Sequence, residues 1–485
     1  MSEHTAEQKP AYNKWVIMIV LLSGAFVAIL NQTLLATALP HIMADLKLEY
    51  NVAQWVQSIF MLINGIMIPI TAFLIGRFTT RKLFLTALGL FAVGTLVCTF
   101  SLNFTFLMLG RILQAAGAGI IMPLMQTILF LIFPVEKRGT AMGMFGLIIA
   151  FAPAIGPTLS GYMVENYPWR SLFYIILPIV IIDIVVAYFV LKNVTKQTFP
   201  KLDMLSIVLS TLGFGGLLFG FSIAGGEQGW SNPQVIISMV VGTITLTWFI
   251  FRQLKLEEPI LEFRIFKYKI FTLSTILGML IFISMIGSMV ILPLLMQDML
   301  GFTALESGLA LLPGAITMGL MNPITGRLFD KFGARWLSII GLTILVITTF
   351  MFAVLTPDTT FAYIASLNAV RMLGIAMVMM PVTTAGLNQL PIEVISHGSA
   401  MNNTMRQVSG AMGTALMVTV MSNSTIPSEG VQGMVHGVNV AFIMSGIFAL
   451  IGLVLSFFIK NSRPDSLGPT EPKMGNRPMN QRAKA

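Results

Sequence analysis

Charge is scarce in this 485-residue chain. Asp, Glu, Lys and Arg make up only 10% of it, against 56% hydrophobic residues, where a soluble protein carries roughly 25% charged residues. That excludes a water-soluble globular protein of this size. Cysteine is nearly absent: Cys98 stands alone, so no internal disulfide and no cysteine metal site can form. The four histidines, His4, His41, His397 and His436, fall in expected tails or loops without zinc-ligand spacing. No G-x-x-x-x-G-K-[ST] segment is present, so no ATP motor is encoded. No catalytic triad or metal motif stands out, and neither an enzyme nor a cofactor is expected. No soluble signalling domain is encoded either, the longest polar segment being the short C-terminal tail. The net charge of +9 is what basic membrane loops supply, and no nucleic-acid partner is expected.

What the chain has in abundance is long apolar runs. A helix needs about 20 apolar residues to cross the hydrocarbon core. Such runs lie near 15–37, 54–75, 83–101, 105–127, 139–163 and 171–191, then near 203–223 and 235–251. Six more follow near 270–293, 305–325, 335–356, 361–381, 399–422 and 438–459. The expected fold class is an all-α polytopic membrane protein of about fourteen helices. The first run reads as a retained span, not a cleaved signal. Basic residues mark one set of loops: Arg77, Arg81 and Lys82; Lys137 and Arg138; Lys192, Lys196 and Lys201; Arg252 through Lys269; Arg327, Lys331 and Arg335. The opposite loops hold only Lys47 and Arg170. Both termini are therefore expected in the cytoplasm. The tail at 461–485 is polar and Pro-rich, and is expected to be disordered and cytoplasmic.

The chain repeats itself. "PITAFLIGRFTTRKLFL" (69–85) aligns with "PITGRLFDKFGARWLSI" (323–339), "PVEKRGTAM" (134–142) with "PIEVISHGSAM" (391–401), and Arg111 of the fourth span with Arg371 of the twelfth. Two six-helix bundles related by duplication are expected, at 1–198 and 269–460, with two inserted spans and a linker between them at 199–268. Repeats flanking a midplane cavity are the architecture of alternating-access transporters.

Particular motifs sharpen this. "GRLFDKFGAR" (326–335) fits G-x-L-x-D-[RK]-x-G-x-R. It resembles the cytoplasmic loop signature of the major facilitator superfamily, where the charge cluster latches a gate. The resemblance implies gating roles for Gly326, Asp330, Lys331, Gly333 and Arg335. The first-half copy keeps Arg77 and Arg81 but has Gly76 in place of the acid. "LGRILQAAGAG" (109–119) resembles the fourth-helix motif, with Arg111 and Gln114. "GLIIAFAPAIGPTLSGYMVE" (146–165) resembles the fifth-helix antiporter motif, with Gly146, Pro153, Gly156, Pro157 and Gly161. Its prolines bend the helix, and its small residues give a face on which bundles can rock. "WRSLFYIILP" (169–178), "NNTMRQVSGAMGTAL" (402–416) and "LNQTLLATALP" (30–40) resemble the fourteen-span drug:proton antiporter branch. The closest likeness is to the lincomycin-resistance exporters, and it covers residues 12 to about 460.

One position departs from the branch. Asn31 stands where the first helix usually has an aspartate, and an amide cannot titrate. Asp183, in "PIVIIDIVVAYFV", is the one acid near the middle of an apolar span. With Arg111 it is the candidate for proton coupling. The expected substrate cavity draws on Asn31, Gln32, Asn64, Arg111, Gln114, Met122, Gln126, Met285, Met289, Met379, Asn402, Asn403 and Arg406. Amides supply hydrogen bonds, and methionines adapt to varied apolar ligands. The resemblance implies a multi-pass cell-membrane exporter that exchanges amphiphilic, neutral or weakly basic compounds for protons. The alternatives are a dedicated metabolite or lipid exporter, and the membrane subunit of a tripartite efflux pump, which would need a membrane-fusion partner.

Overall fold

The computed structural model describes residues 13–225 and 229–459. The expected disordered tail lies outside the described residues. The long helices are α1 (Lys14–Leu46), α2 (Trp55–Arg77), α3 (Thr80–Thr99), α4 (Phe104–Ile132), α5 (Arg138–Asn166), α6 (Ser171–Val190), α7 (Met204–Ala224) and α8 (Pro233–Lys255). They continue with α9 (Lys269–Leu294), α10 (Ala304–Phe332), α11 (Ala334–Met351), α12 (Phe361–Leu387), α13 (Ile395–Ser424) and α14 (Val431–Ser456). Polar caps fix several starts. Asn13, Thr79, Asn103, Asp203, Asn232 and Thr360 each accept a backbone N–H of the first turn. Thr303 and Glu306 form a reciprocal capping box on α10.

Among the described residues, 13 helical segments are long and apolar enough to cross a membrane. The expected span at 399–422 falls on α13, which is long enough at 30 residues but more polar than the rest. Its Asn402, Asn403, Thr404, Arg406 and Ser409 are buried against other helices, so lipid does not meet them. Helix α1 overshoots the expected span and continues through Pro40 to Leu46. This carries Asp45 to the WRS segment, where Trp169 Nε1 (3.0 Å) and Arg170 Nη1 (2.7 Å) both donate to Asp45 Oδ2. Arg170 also donates to the Ser101 carbonyl. The clamp ties the ends of α1, α3 and α6 together. The hydrogen bonds from Trp169 and then Arg170 hold the Asp45 carboxyl below its ordinary range. Its small contribution is therefore complete above the ordinary aspartate pKa and lost as pH falls through the lowered value.

The helix pairs α3–α4 and α11–α12 are each packed closely through glycines. Gly94 on α3 meets Gly110 on α4, and Gly341 on α11 meets Gly374 on α12, each backbone lying where a side chain would otherwise stand. The inserted helices form a hairpin. Gly213 and Gly216 of α7 lie directly on Leu246 and Gly242 of α8, Arg252 pairs with Asp203 at 2.9 Å, and Gln253 donates to Ser206 Oγ at 2.6 Å. Helix α7 packs on α2 of the first half and on α13 of the second. Trp55 stacks on Phe219, and Trp230 Nε1 donates to Thr419 Oγ1 at 2.8 Å.

The halves meet directly along α5 and α10 at the basic end of the bundle. Gly139, Gly143 and Gly146 face Gly326 and Asn322 so closely that a Cβ on any of them would collide. The start of α5 has no cap of its own. Asp330 supplies one from α10: Gly139 N donates to Oδ1 at 2.7 Å, while Thr140 N (2.8 Å) and Oγ1 (2.6 Å) donate to Oδ2. The anionic carboxylate also meets the positive end of the α5 dipole. Arg138 Nη1 adds a 3.0 Å bond to Asn388 Oδ1 of the other half. Gly161 and Gly308, near the opposite end, have no neighbouring atom within 4 Å of a would-be Cβ. Asp330→Ala is expected to shift the balance toward separation of the basic ends by about tenfold or more, given about 1.5–3 kcal/mol for a hydrogen bond to a charged group. Gly143→Leu should act in the same direction by wedging α5 from α10. Spin labels on the loops after α2 and α10 would register both as longer distances, and unchanged distance distributions would count against the cap as a latch.

Candidate functional site

Helix α4 builds the first polar centre. Arg111 and Gln114 sit one turn apart on a face that looks into α1, α2 and α3. Arg111 is fully buried. Its Nε donates to the Val56 carbonyl at 3.0 Å, its Nη1 to Gln114 Oε1 at 3.0 Å, and its guanidinium lies 4.3 Å from the Phe60 ring centroid. Gln114 relays the contact, because Asn31 Nδ2 donates to the same Oε1 at 3.1 Å while Gln114 Nε2 donates to Thr95 Oγ1 at 2.9 Å. Asn31 thus reaches Arg111 through a shared acceptor and not directly. An aspartate at 31 could not donate to that oxygen. Asn31 Oδ1 and Arg111 Nη2 stay buried without partners.

The second half repeats the theme with different partners. Arg371 Nη2 donates to Ser284 O and Oγ, both at 2.8 Å, and Nε to Thr349 Oγ1 at 3.2 Å. Thr349 is the repeat counterpart of Thr95, by the register that aligns Arg335 with Arg81. Ser284 in turn bonds Ser445 at 2.8 Å.

Amides bridge the halves deeper in the bundle. Asn403 Nδ2 donates to Gln126 Oε1 at 2.7 Å, and Gln407 Nε2 reaches the Met61 carbonyl at 3.5 Å. Of the remaining cavity candidates, Asn64, Met285, Met379, Asn402 and Arg406 are buried, Gln32 and Met122 are half-buried, and Met289 is exposed. Gly156 packs against Thr33 of α1. Pro153 and Pro157 lie inside α5. Gly333, at a φ of 76°, ends α10 in a conformation that favours glycine. Arg77 and Lys331 are exposed, Arg81 is half-buried over the Tyr188 ring at 4.3 Å, and Arg335 is half-buried.

Asp183 stands apart from this centre. It is buried where α6 meets Gly24 of α1 and Phe84 of α3, and its Oδ2 has no partner. No hydrogen bond joins it to Arg111 among the described residues. Sequence reasoning missed Phe60 and Phe282, the ring partners of buried arginines. It also missed Asn322, whose side chain is buried at the α5–α10 contact with both polar atoms unpartnered. Such roles have no local signature, since an aromatic among apolar residues looks like any other.

A centre built of amides, guanidiniums and hydroxyls can hold and exchange hydrogen bonds. The family model of the Major Facilitator Superfamily matches residues 21–414. The chain is 55% identical over 467 residues to the uncharacterized MFS-type transporter YcnB of Bacillus subtilis, covering 96% of this chain and 98% of that one. It is 42% identical over 475 residues to the lincomycin resistance protein LmrB of the same organism, covering 96% and 99%. Among solved structures it superposes on the human organic anion transporter MFSD10 with a TM-score of 0.66 at 14% identity, covering 93% of this chain and all of that one. By matched length and by these identities, the chain belongs to the Major Facilitator Superfamily.

Proposed function

We propose that the protein is a secondary active drug exporter of the cell membrane, driven by proton influx, that works by alternating access. The basic end faces the cytoplasm, following the excess of Lys and Arg in its loops. The rocking units are residues 1–198 and 269–460, with 199–268 as the inserted hairpin and linker. The observation that carries the reading is the hydrogen bonding between the halves. Among the described residues it runs from the basic end only to about mid-membrane. An interface that closes at one end and is bonded through an exchangeable carboxylate cap suits a two-state transporter. The name of LmrB supports drugs as cargo.

The substrates are amphiphilic, drug-sized, neutral or weakly basic molecules. Support for this is the acid-free polar centre, which gives a dication no carboxylate to bind. The proton carrier is Asp183, a buried carboxyl with an unpartnered oxygen in the first half, and Arg111 answers its charge state through the packing of α1, α3 and α4.

Transport in proteoliposomes under an imposed pH gradient tests the whole reading. Uphill movement of a neutral dye is expected, and its absence with gradients of either sign would refute proton-driven export. Asp183→Asn is expected to abolish pH-driven uptake into inverted vesicles while dye binding persists. Unchanged uptake by that variant would remove Asp183 from the coupling scheme.

A further inference from the structure

Three arginines are buried at membrane depth, and they are not alike. Arg111 and Arg371 each place two of their three nitrogens on backbone carbonyls and side-chain oxygens, leaving Arg111 Nη2 and Arg371 Nη1 unpartnered. Arg406 places none. It is 8% exposed, its Nε is buried without a partner, and no hydrogen bond or ion pair to its guanidinium occurs among the described residues. Its one polar-type contact is the Phe282 ring on α9, at 4.9 Å. One turn earlier on the same face of α13, Asn402 Nδ2 is also a buried donor without an acceptor. Helix α13 and the helices packed on it, α2, α4, α7, α9, α12 and α14, contain no Asp or Glu.

A permanent cation beside a second idle donor, with no acceptor for either, is an incomplete arrangement. A buried charge left uncompensated is strongly unfavourable, so the site is complementary to a group that brings oxygen acceptors and negative charge. The walls near it are apolar. Phe282, Met285 and Ile286 line α9, and Gly410 leaves the Phe282 ring close to α13. The neighbouring residues 403 and 407 already reach Gln126 and Met61 of the other half. Arg406 therefore sits beside the contact between the halves and not on the lipid face.

We infer that Arg406, with Asn402, forms an anion subsite that binds the carboxylate of amphiphilic substrates, so that acidic compounds are exported as well as neutral ones. The inference rests on the drug-export reading and extends its substrate class. In this arrangement the carboxylate accepts from the guanidinium and from the amide while its apolar body lies along Phe282 and Ile286. A cationic substrate gains nothing there and is repelled.

Binding of pyrenebutyrate and of its uncharged amide to the purified full-length protein, read by fluorescence, tests this directly. The wild type is expected to prefer the carboxylate by about tenfold or more. Arg406→Gln should remove that preference by lowering affinity for the carboxylate, and Arg406→Lys should keep part of it. A merely structural arginine would behave otherwise: its loss would lower the melting midpoint, whereas removal of an uncompensated charge should leave the midpoint of Arg406→Gln unchanged or raised. Equal binding of both probes by the wild type, or a preference that survives Arg406→Gln, would overturn the anion subsite while leaving neutral-drug export standing. Pyrenebutyramide that is bound but not moved under a pH gradient would instead strike the export reading.

Discussion

A guanidinium inside a bilayer keeps its charge, so its surroundings must be arranged around it. Much of the order in this molecule follows from that demand. Arg111 draws a carbonyl from α2, a glutamine from its own helix, and through that glutamine Asn31 of α1 and Thr95 of α3. At about 1.5–3 kcal/mol for each hydrogen bond to a charged group, such a set holds these helices as one rigid unit. Arg371 does the same for α9 and α11 with Ser284 and Thr349. Each half is thus pinned internally by its own arginine. Between the halves the bonds are made instead by the amides Gln126, Asn388, Asn403 and Gln407, by Arg138, and by the Asp330 carboxylate with Gly139 and Thr140.

The two flanks of that contact are built differently. On one, α5 and α10 touch backbone to backbone through glycines, and Asp330 caps the opposing helix. On the other, the duplicated latch has lost its acid, because Gly76 occupies the place of Asp330. The chain puts something else there. Thr198 N donates to the Gly76 carbonyl at 3.0 Å, the Arg77 guanidinium lies 5.9 Å from the Phe199 ring, and the linker leads into α7, which packs on both α2 and α13. A second linker, between α8 and α9, reaches the same flank, where Glu262 N donates to His397 Nδ1 at 3.2 Å. On this flank the linker and α7 make the packing contacts, where on the opposite flank a carboxylate caps the facing helix.

The spans were legible because hydrocarbon imposes a length and a polarity, and both are local properties of the chain. Helix α13 shows the limit of that rule. Its apolar content falls short, yet it is buried, because Asn402, Asn403 and Arg406 face protein. The cap on α5 was half legible: the motif containing Asp330 stands out in sequence, but its acceptor role toward Gly139 and Thr140 joins residues about 190 positions apart. Gly216 and Gly220 of α7 pack on α8, a partner that spacing along one helix does not name. The spacing of Arg111 and Gln114 placed them on one face, but not the choice of Val56 and Phe60 as partners. Those partners are ordinary apolar residues until the fold brings them beside a charge.

Asn31 ties these threads together. With an aspartate in its place, the Asn31–Gln114 bond could not form as it does, and the carboxylate would compete with Gln114 for Arg111. With asparagine, the amide donates to the oxygen that Arg111 also uses, and the first half closes on itself as a neutral-plus-one network. Its charge is then fixed and does not change with proton uptake at that point. In the proposed proton-driven cycle, the proton must then enter from elsewhere in the half. Asp183 meets Gly24, only two turns from Asn31 on the same helix. In the proposed scheme, a change in charge there acts on α1, which Asn31 and Gln114 tie to Arg111, so that one helix spans the distance between the proposed proton carrier and the buried arginine.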